Sequence, residues 1–181
     1  MTISSRIRHR AGVAAIATAA LAGALAGPLA TGAHADNFVG THSFQPRGQI
    51  GSLATAAVFP NPGPASVSVK AGSGFGGQWN TFNQTANGLS GIILKNRQAG
   101  LCLDTGNGGT STSVSVRECD GTPSQNWNKA TVPGTNFKTF QNVFTKTYLT
   151  TVLGSSTPTL QAFSSGNTKQ HWTDTTLVPG N

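Results

Sequence analysis

After residue 35 the chain alternates between short apolar runs and clusters of turn formers. Val67-Ser68-Val69 and Val114-Ser115-Val116 alternate with period two, which puts both valines of each triplet on one face of a strand. Leu160-Gln161-Ala162 has the same character. Further apolar runs stand at Ile92-Ile93-Leu94-Lys95-Asn96 and Phe140-Gln141-Asn142-Val143, with His42-Ser43-Phe44-Gln45 as a weak counterpart. Gly106-Asn107-Gly108-Gly109, Asp120-Gly121-Thr122-Pro123 and Gly154-Ser155-Ser156 mark reversals between them. No stretch keeps a helical period for three turns. The pattern predicts an all-β protein of short strands.

The tryptophans reveal a repeat. Trp79, Trp127 and Trp172 stand 48 and 45 residues apart, and a Gln precedes each, in Gly77-Gln78-Trp79, Gln125-Asn126-Trp127 and Gln170-His171-Trp172. The Val-x-Val or Leu-x-Ala stretch keeps the same phase about 11 residues upstream. Three related segments follow, roughly 38–82, 90–129 and 136–174, each of about four strands. One such segment cannot bury its apolar face alone. Three can, by closing around a pseudo-threefold axis with one Trp apiece in a shared core.

The first 35 residues differ from the rest. Arg6, Arg8 and Arg10 precede an apolar, Ala-rich stretch from Ala11 to Ala26, and Ala33-His34-Ala35 follows the breakers Pro28 and Gly32. This is the pattern of a secretory signal peptide, residues 1–35, cleaved to leave Asp36 first. A permanent transmembrane anchor fits less well, because the stretch is only weakly hydrophobic and ends in helix breakers. The expectation is a secreted, extracellular protein with one domain over residues 36–181 and no membrane span once the signal is removed.

The whole chain has a formal charge of +7, but the part after Ala35 carries nine of the twelve Lys and Arg and all five acids, a net +4. Those cations are scattered singly, which argues against nucleic acid as a partner. Charged residues make up only 9% of the chain, against ~25% in an ordinary soluble domain. Catalysis needs a positioned acid–base pair or an activated nucleophile. With few acids, with His42 and His171 in different segments, and with no phosphate loop or nucleophile elbow, no enzyme, cofactor or metal is expected.

Export governs the reading of the cysteines. Cys102 and Cys119, 17 residues apart, are expected to pair in an oxidising compartment, which is worth ~3 kcal/mol in loop entropy. The alternative is a metal site drawing on His42 and His171, neither of which stands at zinc-finger spacing from a Cys.

Cys102-Leu103-Asp104, then Cys119, then Gln125-Asn126-Trp127 resembles the C-L-D … C … Q-x-W pattern of the ricin B-type lectin repeat. The third segment has Tyr148-Leu149-Thr150 in place of C-L-D, and the first keeps little beyond Gln78-Trp79. The resemblance implies a β-trefoil of three subdomains, each with one potential shallow sugar pocket. It also implies that Asp104 would accept hydrogen bonds from two adjacent sugar hydroxyls, as an ionised carboxylate can. An aromatic ring is implied at 117 and an Asn at 124, where this chain has Arg117 and Ser124. The expected carbohydrate site is therefore single, formed by Asp104, Asn107, Arg117, Ser124 and Gln125. Asp104 could instead cap the turn through Asn107. Arg117 could be a solvated strand residue, lie over a sugar, or pair with Asp104 and block the pocket.

The expected partners are glycans, anionic ones such as uronic or sialic acids in preference to neutral galactose-like sugars, because Arg117 offers positive charge where a ring would stack. The rival expectation is a degenerate trefoil that acts through a protein partner, as a toxin accessory subunit or an inhibitor, without binding sugar.

Overall fold

The computed structural model describes residues 37–56, 63–106, 112–152 and 154–180. The expected leader, its cleavage site and Asn107 lie outside the described residues.

Twelve strands run in three sets of four. The first set is β1 (Phe38–Pro46), β2 (Ser52–Thr55), β3 (Ala65–Lys70) and β4 (Trp79–Ala86). The second is β5 (Leu89–Asn96), β6 (Cys102–Asp104), β7 (Ser115–Arg117) and β8 (Trp127–Thr131). The third is β9 (Lys138–Asn142), β10 (Tyr148–Thr150), β11 (Thr159–Gln161) and β12 (Trp172–Pro179). A short 3₁₀ turn precedes the last strand of each set, at Gly74–Gly77, Pro123–Gln125 and Thr168–Gln170.

The outer strands of the sets close a six-stranded antiparallel barrel. β1 pairs with β4, β4 with β5, β5 with β8, β8 with β9, β9 with β12, and β12 returns to β1. The inner strands form hairpins β2–β3, β6–β7 and β10–β11. These cap one end and meet each other, through Ala65 opposite Val116, Ser113 opposite Thr159, and the Val69 amide bonded to the Ser156 carbonyl at 2.6 Å. Local sequence sets some of these joins. Asn87 and Gly88 both take positive φ (50° and 77°), which gives the two-residue β4–β5 turn the backbone twist that flanking strands require.

The threefold relation extends to side chains. Trp79, Trp127 and Trp172 are completely buried, as expected, and each donates its indole N–H to a leucine carbonyl on the hairpin of its own set: Leu53, Leu103 and Leu149. Phe44, Leu94 and Phe140 occupy the matching places on β1, β5 and β9 and are also completely buried. Asn96 and Asn142 play one role twice. The amide of Asn142 donates to the Ser124 and Asn126 carbonyls while its oxygen accepts from the amides of residues 144 and 145. Asn96 does the same with Gly76, Gln78, Gln98 and Ala99. Pro46 stands at the third such place. The fold is a β-trefoil.

Two register details differ from the sequence reading. Ser52-Leu53-Ala54 is the counterpart of Cys102-Leu103-Asp104 in the first set, since Leu53 and Leu103 receive equivalent tryptophan bonds. Gln78 does not match Gln125 and Gln170. The place two residues before Trp79 is Gly77, and Gln78 instead accepts a bond from Arg97 at 2.6 Å.

Candidate functional site

The structure brings the expected site residues of the middle set together, with Asn107 outside the described region. β6 pairs with β7 so that Cys102 lies opposite Arg117 and Asp104 opposite Ser115. Cys102 and Cys119 are disulfide-bonded across the base of this hairpin, and among the described residues no cysteine is free.

Asp104 is only 1% exposed. One carboxylate oxygen accepts the Gly106 amide and the other accepts the Ser124 hydroxyl at 3.2 Å. The first of these bonds is the turn cap weighed above. Arg117 lies over the carboxylate with Nε 3.9 Å from Oδ1, and its side chain is 41% exposed. That Nε is buried and has no hydrogen-bond partner among the described residues. An ion pair at this distance and exposure contributes little to stability. Asp104 is thus covered by Arg117, and its oxygens are turned to the protein.

Ser124 continues the polar chain outward. Its Oγ lies 2.9 Å from Thr122 Oγ1, and Thr122 donates to Asp120 Oδ1 at 2.8 Å. A shallow cleft of about 270 Å³ opens along Thr122, Pro123, Ser124 and Phe144. Phe144 is 53% exposed there. It comes from the third set, directly after Val143, and no pattern in the middle repeat points to it. Gln125 faces inward. Its amide donates to the Glu118 carbonyl at 2.6 Å and accepts the Asp120 amide, as Gln170 does with Ala162 and Ser164. Both glutamines brace the turn before the tryptophan strand.

The counterparts of Asp104 in the other sets are Ala54 and Thr150, both buried. Thr150 Oγ1 is engaged by the Gln170 amide at 3.3 Å.

A second polar group lies inside the barrel. The Asp174 side chain is only 6% exposed and lies 2.7 Å from His42 Nδ1 and 2.8 Å from Lys129 Nζ. These residues sit two positions from Trp172, Phe44 and Trp127 on the same strands, so the alternation turns them to the same interior. Burial pushes the Asp174 carboxyl up, but the hydrogen bonds and positive charge of His42 and Lys129 outweigh it and hold it below its ordinary value. Among the described residues the buried His42 Nε2 has no hydrogen-bond partner. Among the described residues no cluster of three His, Cys, Asp or Glu could hold a metal ion.

No protein-family model and no curated protein matches the chain. Solved structures do. The designed threefold-symmetric protein ThreeFoil aligns at TM-score 0.62 and 19% identity, over 76% of this chain and 99% of that one. The Polyporus squamosus lectin, bound to a Neu5Acα2-6Galβ1-4GlcNAc epitope, aligns at 0.59 and 17%, over 77% of this chain and 49% of that one. The Haemophilus ducreyi cytolethal distending toxin aligns at 0.56 and 15%, over 77% and 83%. At these identities the likeness is one of fold.

Proposed function

We propose that the protein is a secreted, non-catalytic carbohydrate-binding module with one weak site in its middle repeat, selective for anionic sugars. The observation that supports this reading is the placement of Arg117. Its guanidinium lies over Asp104, with Nε 3.9 Å from Oδ1 and 41% of the side chain open to solvent. Uronic or sialic acid carboxylates match a guanidinium fork, and Arg binds them through paired N–H donors. Asp104 then acts by holding Arg117 and Ser124 in place, and it meets a sugar diol directly only when Arg117 swings aside. Thr122 and Ser124 supply hydroxyls along the neighbouring cleft, and Phe144 offers a face for the apolar side of a sugar ring. The sialylated epitope held by the Polyporus lectin lends this ligand class to the proposal. A single shallow site is weak, and useful affinity would come from several copies acting together.

A second reading follows from the burial of Asp104 and its replacement by Ala54 and Thr150 in the other repeats. A trefoil without open sugar pockets would act by binding a protein, as a toxin accessory subunit or an inhibitor. A glycan array separates the two. Signal on acidic glycans that disappears in Arg117→Ala supports the carbohydrate reading. A blank array, with one protein partner co-purifying at fixed stoichiometry, supports the other.

A further inference from the structure

The middle and third repeats differ in one outer notch, where the first strand of the hairpin meets the barrel wall. In the middle repeat this notch holds about 150 Å³ and is lined by Phe82, Ile93, Lys95 and the disulfide Cys102–Cys119. At the matching place in the third repeat the cleft holds about 440 Å³. The alignment of the repeats explains the enlargement. Ala130 follows Trp127 by three residues as Phe82 follows Trp79, so a methyl replaces a ring. Thr139 precedes Phe140 as Ile93 precedes Leu94. Tyr148 lies opposite Gln161 as Cys102 lies opposite Arg117, and Phe163 follows Gln161 as Cys119 follows Arg117. An aromatic pair thus stands where the middle repeat has its disulfide.

We infer that this cleft is a second binding site, for an uncharged pyranose ring. The Tyr148 and Phe163 rings lie 5.1 Å apart at 46°, and Phe163 is 60% exposed. They form an open aromatic corner at one side of a cavity in the size range of small-ligand sites. Stacking the C–H face of a sugar on such a ring removes apolar area from water without desolvating charge. The remaining wall includes Thr139, which lies opposite Ala130 on the outer face, and Ser165, and each carries a hydroxyl. His171 completes the wall, and burial together with the Arg47 guanidinium beside it holds its imidazole below its ordinary value. None of the residues lining the cleft is an acid, a lysine or an arginine. A neutral polyol with one apolar face satisfies both halves of this lining, whereas a purely apolar occupant would strand the hydroxyls.

The ligand class rests on the carbohydrate reading above, but the site does not involve Asp104 or Arg117. Saturation-transfer NMR and calorimetry with methyl β-galactopyranoside and methyl β-glucopyranoside, run beside glucuronic acid, test it. The unmodified protein and Arg117→Ala should bind a neutral glycoside equally. Phe163→Ala, a change at an exposed position, should weaken that binding about tenfold while leaving glucuronic acid untouched. Ala130→Phe should abolish it by refilling the notch as Phe82 does. Neutral-sugar binding unchanged in Phe163→Ala overturns this inference alone. Glucuronic acid bound with no neutral sugar bound also overturns it and leaves the Arg117 site standing. Failure of every sugar overturns both proposals. Concentration-dependent dimerisation that Phe163→Ala removes, with no sugar signal, assigns the aromatic corner to a second copy of the chain instead.

Discussion

The indole N–H of Trp127 donates to the backbone carbonyl of Leu103 at 3.1 Å, tying the last strand of the middle repeat to its own capping hairpin. Trp79 with Leu53 and Trp172 with Leu149 repeat the bond at 2.8 and 3.1 Å. Each tryptophan therefore fills the shared core and satisfies a carbonyl that water cannot reach. Trp127→Ala should cost about 3–5 kcal/mol, the usual range for a large buried aromatic. Chemical denaturation would show it, and a loss under 1 kcal/mol would contradict the central role given to this side chain.

Asn142 is the second fixed point. Its side chain holds two carbonyls of the turn that precedes β8 and two amides of the turn that follows β9. Asn142→Ala leaves those groups without partners and should destabilise the protein by about 1–3 kcal/mol. Asn142→Asp should fare no better, because a carboxylate cannot donate to the Ser124 and Asn126 carbonyls. Full stability in either variant would show that water replaces the amide without loss.

The acid network inside the barrel sets a pH dependence. The Asp174 carboxyl lies below its ordinary value in the folded protein, so folding favours its ionised form. Its contribution is complete above the ordinary carboxylate range near ~3.9 and disappears as pH falls through the lower folded value. Asp174→Asn should therefore be less stable than the parent at pH 7, by about 1–3 kcal/mol, and the gap should close in strong acid. Urea unfolding of both proteins between pH 2 and pH 7 checks this. A gap independent of pH would remove the ionised carboxylate from the account.

Export and oxidation can be read from one mass. The exported protein should begin at Asp36 and weigh two hydrogens less than its reduced sequence, with no thiol labelled under denaturing, non-reducing conditions. Reducing the Cys102–Cys119 bond should then cost ~3 kcal/mol in stability, for the separation of 17 residues. A retained leader or two labelled thiols would contradict the reading.

The features legible in the sequence were those that recur in phase. The tryptophans, the Val-x-Val strands and Cys102-Leu103-Asp104 are local patterns at a near-constant period, and period is enough to announce a threefold fold. The first repeat was harder because Ser52-Leu53-Ala54 keeps only the leucine of its motif. There a carbonyl supplies the conserved interaction, and a carbonyl leaves no signature in sequence. The misplaced Gln78 has the same cause: Gly77 stands where the bracing glutamine would. The His42–Asp174 contact joins residues 132 apart, and only barrel closure brings them together. The covering of Asp104 depends on the reach of Arg117 across a hairpin, which spacing cannot give. Phe144 and Phe163 carried no motif, and Tyr148 was legible only as the residue in the place of Cys102. Their interest comes from exposure and from what the matching places hold in other repeats.

The claim that the middle repeat binds anionic sugars through Arg117 is tested most directly by titrating galactose and glucuronic acid against the parent protein and Arg117→Trp, each at low and high salt. The account predicts that the parent prefers glucuronic acid and that this binding weakens as salt rises, because a partly exposed charge pair is screened. Arg117→Trp should lose the preference and most of the salt dependence, and gain affinity for galactose by restoring a stacking ring. Arg117→Trp that still binds glucuronic acid as tightly as the parent, with the same salt dependence, would contradict the account.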